Sequence, residues 1–234
     1  MNKIICFIML LFCYIMAMGQ GKIQRSQKHE SKPNVEVSQQ DGFNNGHGYI
    51  DLGLPSGTKW ATCNIGASQP YKYGKYFAWG ELDEKESYIE SNCSTIGEVP
   101  YDAASNNKYD VAHCQWGSNW RLPSKENLQE LIDCCEWKWC MIRGIAGYKI
   151  IGPNKKSIFL PAGDSKGENG SKGQFINTSG DYWSANSYVK GTSRYDNDNN
   201  PQWLTCSFGL FFFNKNADVR HYPRYFGRNV RPVF

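Results

Sequence analysis

The sequence predicts an α+β chain made of many short strands with one or two short helices. Three observations carry that class. One compact stretch, Trp116 to Cys135, runs from an aromatic turn into an amphipathic helix. Elsewhere apolar residues alternate with polar ones in short runs, broken by Gly, Pro and Asn. No Gly-x-Gly-x-x-Gly follows a strand, no long series of amphipathic helices occurs, and no repeat of roughly 20–50 residues is present, which removes the Rossmann, bundle and solenoid classes.

The helix is the best-specified element. Pro123 cannot continue a preceding helix, and the Ser124 hydroxyl can accept from the unpaired N–H groups of a first turn, where Glu126 also suits the helix dipole. Leu128, Leu131, Ile132 and Cys135 follow at i, i+3, i+4 and i+7, and Lys125, Gln129, Glu130 and Asp133 take the other side. A helix starting at Ser124 with one buried face is expected.

The N-terminus reads as an export signal over residues 1–19. Lys3 precedes an apolar run from Ile4 to Met16, and Ala17-Met18-Gly19 supplies small residues for cleavage after Gly19. The run is too short for a transmembrane anchor, and Phe12 stands where a lipid-attachment signal at Cys13 wants a small residue. Removing Lys3 takes the formal charge from +4 to +3, too weak a field for nucleic acid. An exported protein is expected, in the periplasm, on the outer surface or secreted, with a glycan or a surface protein as partner.

Residues 20–47 are rich in Gln, Ser, Lys and Asn and read as a flexible tether. Residues 48–234 are long enough for a single domain with its own core. Of nine cysteines, Cys6 and Cys13 leave with the signal, and the odd number remaining leaves at least one thiol outside any intramolecular disulfide. Cys134, Cys135 and Cys140 lack the spacing and the histidines of a zinc site.

Along the domain, Tyr49 to Leu54 and Lys59 to Ile65 flank a Pro55-Ser56-Gly57 turn, as paired strands do. Ser56 is a turn serine, because its spacing is not that of a nucleophile elbow. Tyr76 to Glu81 reads as a third short strand, and Asp110 as the cap of a short helix through Trp116. Trp137-Lys-Trp139, Tyr148 to Ile151 and Ser157 to Leu160 read as a strand followed by a hairpin. Ala162 to Gly180 is a long polar loop, Asp181 begins another strand, and Gly191 to Pro201 is a second loop. Trp203 to Phe213 gives two apolar strand-like runs broken by Gly209, and Asn214 to Phe226 reads as a third loop.

Asp51-Leu-Gly-Leu-Pro-Ser-Gly-Thr, Trp60-Ala-Thr-Cys-Asn-Ile-Gly-Ala, Tyr76-Phe-Ala-Trp-Gly-Glu, Trp120-Arg-Leu-Pro-Ser, Ile158-Phe-Leu-Pro-Ala, Tyr182-Trp-Ser and Val230-Arg-Pro-Val together resemble the Fibrobacter succinogenes major paralogous domain, from about Gly48 to Phe234. Members of that family are exported proteins of uncharacterised function. Trp120-Arg-Leu-Pro-Ser and Val230-Arg-Pro-Val also resemble the formylglycine-generating-enzyme branch of the C-type-lectin-like fold. The resemblance implies twisted antiparallel strands, few helices and long loops on a ligand-facing side. Formylglycine-generating enzymes use two late cysteines, where this chain has only Cys206, so that activity does not carry over. Arg228 departs from the larger family, whose residue there is usually apolar. The family's cysteines fall at Cys63 and Cys135, which implies a disulfide closing a loop worth ~4 kcal/mol in the chain-entropy model.

Function rests on residue types beside loops. Trp183, Asn186 and Tyr188 join two loops and mix flat rings with amide and hydroxyl groups, the chemistry that reads sugars. Tyr222, Arg224 and Tyr225 belong to a basic, aromatic C-terminal cluster that includes Arg220, Arg228 and Arg231 and suits an acidic or sulfated glycan. These six residues, Trp183, Asn186, Tyr188, Tyr222, Arg224 and Tyr225, are expected partly exposed around one surface. Asp196, Asp198 and Asn200 alternate like the start of a calcium loop, but Ser207 replaces its bidentate Glu, so a solvated turn is expected and calcium is the alternative. Four scattered histidines offer no base–nucleophile spacing, and no catalytic set is marked. A non-catalytic, glycan-binding module is the expectation, with an extracytoplasmic enzyme or an adhesin subunit as alternatives.

Overall fold

The computed structural model describes residues 39–97, 102–103, 108–117, 119–170, 173–188 and 205–234. Among these, the fold is α+β: three small antiparallel sheets of three strands each, with two short α-helices. No helix among the described residues is long and apolar enough to cross a membrane.

The first sheet contains β1 (Gly42–Asn44), β2 (His47–Asp51) and β3 (Lys59–Ala61). Strand β1 lies within the stretch read as tether, so ordered structure begins earlier than Gly48. Asn45 and Gly46, both at positive φ, form the tight turn between β1 and β2. An Asn-Gly pair is a strong short-range hairpin signal, and in this sequence it was masked by polar surroundings. Tyr76 to Trp79 is buried throughout but makes only a bridge, Phe77 with Arg228, in place of the expected strand.

Two capped helices follow. Helix α1 (Val111–Trp116) starts at Asp110, whose buried carboxylate accepts from the N–H groups of Ala112 and His113 and, from outside the helix, of Leu122. Helix α2 (Lys125–Cys134) starts where the sequence places it, with the Ser124 hydroxyl accepting from Asn127 N–H and the Asn127 side chain accepting from Ser124 N–H. Leu128 and Leu131 are buried, with Ile132 and Cys135 packed against the same core.

The second sheet is β4 (Glu136–Ile142), β5 (Ile145–Ile151) and β6 (Ser157–Pro161). The third is β7 (Ser179–Ser187), β8 (Cys206–Phe213) and β9 (Asn216–Pro223), so much of Asn214 to Phe226 is a strand in place of the expected loop. In this sheet Asp181 pairs with Phe211 and Phe211 with Asp218, while Tyr182 pairs with Leu210 and Leu210 with Val219. Directly opposed residues point the same way, so the two rows lie on opposite faces. The inner face, Tyr182, Leu210, Phe212 and Val219, joins a core with Leu128 and Leu131 of α2, Tyr148, Ile158 and Trp60.

The C-terminal segment stitches these parts together. Val233 bridges to both Trp60 and Arg121. The fully buried Arg231 donates to Asn64 Oδ1 and to the carbonyls of Ala61, Thr62 and Phe159, so one guanidinium ties the first sheet to the second. None of the seven described cysteines forms a disulfide. Cys63 and Cys135 are both half-buried thiols, and the implied Cys63–Cys135 bond is not formed.

Candidate functional site

The outer face of the third sheet carries a cavity of about 530 Å³, within the roughly 300–1,000 Å³ typical of small-molecule sites. Its origin is local. Strand β8 is apolar on both faces: Leu210 and Phe212 go into the core, and Phe211 and Phe213 go outward. Apolar side chains on an outer face normally meet a covering element. Here the loop that enters the sheet at Ser179 covers one side only, and Phe175 and Phe213 remain 56% and 43% exposed.

The polar part of the pocket comes from β7 and the loop before it. Asp164, at positive φ, has one oxygen accepting from Phe175 N–H at 3.0 Å and the other from the Ser179 hydroxyl at 3.2 Å. Its acceptor oxygens hold the loop in place. Asp181, one register position away on the sheet, is 3% exposed and lies 3.0 Å from Nη1 of Arg228. That contact is an ion pair lacking hydrogen-bond geometry, because neither Nε nor Nη1 of Arg228 meets an acceptor at a good angle. Burial pushes the Asp181 carboxyl upward and the Asp164 charge adds to this, while Arg228 opposes it.

Arg228 closes the end of the cavity. Its guanidinium sits between the rings of Tyr222, at 3.6 Å, and Trp183, at 4.7 Å. Gly209 makes room for it: a Cβ there would meet Nη1 of Arg228 at 3.4 Å and the Tyr182 carbonyl at 2.6 Å. Tyr222 forms the aromatic wall nearest Arg228, and burial raises its hydroxyl pKa.

Only one of the six expected ligand residues, Tyr222, lines this pocket. Trp183 is 1% exposed and lies under Arg228, with its indole N–H donating to the Phe77 carbonyl. Asn186 caps α2, accepting from Lys125 N–H. Tyr188 is buried against His221. Arg224 is wholly buried over the ring of Trp79 and donates to the carbonyls of Cys206 and Thr95 and to the Ser207 hydroxyl. Its environment lowers its pKa to about 10, chiefly by desolvation. Tyr225 packs on Phe226 in a separate cluster. The single exposed surface expected for the six does not form.

The reason is that arginines and aromatics near the C-terminus are structural. Arg224 and Arg231 satisfy backbone carbonyls inside the fold, and the exposed Arg220 pairs with Asp218. The basic cluster thus presents no free guanidinium array to an acidic glycan. Residues of the loop Ala162 to Gly180 and Asn214, in the turn between β8 and β9, line the same pocket. The stretch from Gly191 to Pro201, with Asp196, Asp198 and Asn200, lies outside the described residues. The sequence signal that marks this pocket is the unbroken Leu210-Phe-Phe-Phe213, whose period cannot be satisfied by one buried face.

The histidines do not converge on the pocket. His47 stacks on Trp116 at 3.8 Å, where burial lowers its pKa, and His221 stacks on Tyr188. Cys135 is pushed up to about 12 by burial, with neighbouring Cys134 and Glu130 adding to the shift, so its thiolate is disfavoured. No family model, curated protein or solved structure matches the chain.

Proposed function

We propose that the chain is an exported, non-catalytic binding module that takes a sugar ring in the pocket of Phe211, Tyr222 and Asp181. One observation carries this reading: aromatic rings stand exposed on the outer face of β8 directly beside buried carboxylates and a guanidinium. Flat apolar faces accept the C–H face of a sugar, and convergent polar groups read its hydroxyls. The signal-like N-terminus supports export, and the resemblance to an exported domain family and to the lectin-like fold supports a loop-built binding side. Calcium is not required by this pocket, whose carboxylates are engaged by protein donors or by Arg228.

A second reading has its own support. Asp181 and Tyr222 line one cavity, and both are shifted by burial, as catalytic acids often are. Binding is favoured over it because Asp181 is committed to Arg228 and Asp164 to its loop.

A glycan array with the purified protein, followed by titration calorimetry, tests the proposal. Sugar binding that weakens about tenfold when Phe211 and Tyr222 are both replaced by Ala supports it, since each stacking contact is worth about 0.5–1.5 kcal/mol. No binding on the array defeats it. Cleavage of the bound glycans selects the enzyme reading, and capture of a surface protein through Phe175 and Phe213 selects the adhesin reading.

A further inference from the structure

We propose that the pocket selects a sugar carrying a neutral acyl group, such as an acetamido substituent, with Arg228 as the specificity-determining donor to the acyl oxygen. This rests on the sugar-binding reading and names the substituent that the pocket reads.

Three observations lead there. First, Arg228 is 3% exposed and lines the cavity, and its Nε and Nη1 donors meet no acceptor among the described residues. Buried donors are nearly always satisfied, so a buried guanidinium lacking acceptors at the end of a cavity calls for an oxygen from the ligand. The Tyr222 ring lies over this guanidinium at 3.6 Å, and a tilt of that one half-buried side chain opens the way to it.

Second, Arg228 lacks acceptors and does not lack a counter-charge. Asp181 stands 3.0 Å from Nη1, and Asp164 lines the same cavity. A carboxylate or sulfate would fill the donors only by bringing a third negative group into a poorly hydrated site. A carbonyl oxygen offers its lone pairs without that repulsion.

Third, an acyl group also has an apolar end, and the cavity supplies its complement. Phe175, Phe211 and Phe213 line it, and Phe175 and Phe213 stay exposed there. A methyl group carried beside the carbonyl would cover part of these rings and gain from leaving water. A sugar hydroxyl can accept from Arg228 but leaves the rings uncovered.

The test compares three probes on the unmodified protein by calorimetry: a β-1,4 tetramer of N-acetylglucosamine, the corresponding glucose tetramer, and a glucuronic acid tetramer. The acetylated tetramer is expected to bind about tenfold tighter than the glucose one, with the uronic acid weakest. Arg228→Lys keeps a cation beside Asp181 and removes Nε and the planar fork, so it should cut the acyl preference to about twofold. Should that variant fail to fold, the unmodified protein decides with an N-thioacetyl tetramer, whose sulfur is a poorer acceptor and which should bind about fivefold more weakly than the acetylated one. Equal binding of the glucose tetramer, tighter binding of the uronic acid, a preference that survives Arg228→Lys, or equal binding of the thioacetyl form overturns the acyl inference while leaving sugar binding intact. Failure of all three probes, with other glycans bound on the array, likewise overturns the acyl inference alone. Failure of every sugar overturns both.

Discussion

The two faces of the third sheet share the same strands and differ in what covers them. Phe212 and Phe211 are neighbours in sequence, yet one enters the core beneath α2 and the other lines an open pocket. On the inner face, Tyr182, Leu210, Phe212 and Val219 meet Leu128 and Leu131, so their burial stabilises the fold. On the outer face, Phe211, Phe213 and Tyr222 surround Asp181 and Arg228, and part of their apolar surface is left uncovered. Identical residue types therefore pack into the core on one side and line an open pocket on the other, the side proposed above for recognition. What separates them is the presence of a covering helix.

Substitutions on the two faces should part company. The largest stability loss is expected for Phe212→Ala, about 3–5 kcal/mol from lost transfer energy and the cavity left behind, read as a lower denaturant midpoint. Arg228→Met should cost about 3 kcal/mol near neutral pH, because it leaves Asp181 buried without its counter-charge. The sign of its pH dependence follows from Asp181. Its folded pKa already lies above the ordinary 3.8 and should rise further without Arg228. The native state then takes up a proton before the unfolded chain does as pH falls, so the deficit of the variant should shrink toward pH 4. A deficit constant with pH would show that Asp181 is not the affected group.

Gly209→Ala should cost about 1–3 kcal/mol, since its Cβ would crowd the Tyr182 carbonyl and the Arg228 guanidinium. A chemical-denaturation series would measure it, and a neutral result would mean the strand shifts freely. Phe213→Ser should be the smallest, within about 0.5 kcal/mol, because that ring is exposed at the pocket edge.

How much of this was legible in the sequence depended on how local the cause was. Both helix caps were readable, since Asp110 and Ser124 act on N–H groups within three residues. The hairpin of β5 and β6 was readable from alternation and the turn at Gly152-Pro-Asn-Lys. Strand β1 was legible in principle from Asn45-Gly46, but the polar composition of residues 20–47 outweighed it. The candidate pocket draws on the late loop and strands, yet of the six residues singled out from their chemistry only Tyr222 lines it. Trp183 and Arg224 have the chemistry of ligand contacts, and only tertiary structure places one under Arg228 and the other over Trp79. Asp181 gave no local signal, because its importance comes from Arg228, which the chain returns to it from 47 positions later. Cys63 and Cys135, the positions the family resemblance implies for a disulfide, are both unbridged thiols here.

The central claim is that the outer face of β8 is a ligand surface and the inner face is core. The most direct measurement pairs a melting curve with a glycan titration for Phe211→Ala. The account predicts a stability change within about 1 kcal/mol together with at least about a fivefold loss of sugar affinity. A collapse in melting temperature, or unchanged affinity for a sugar the unmodified protein binds, would contradict it.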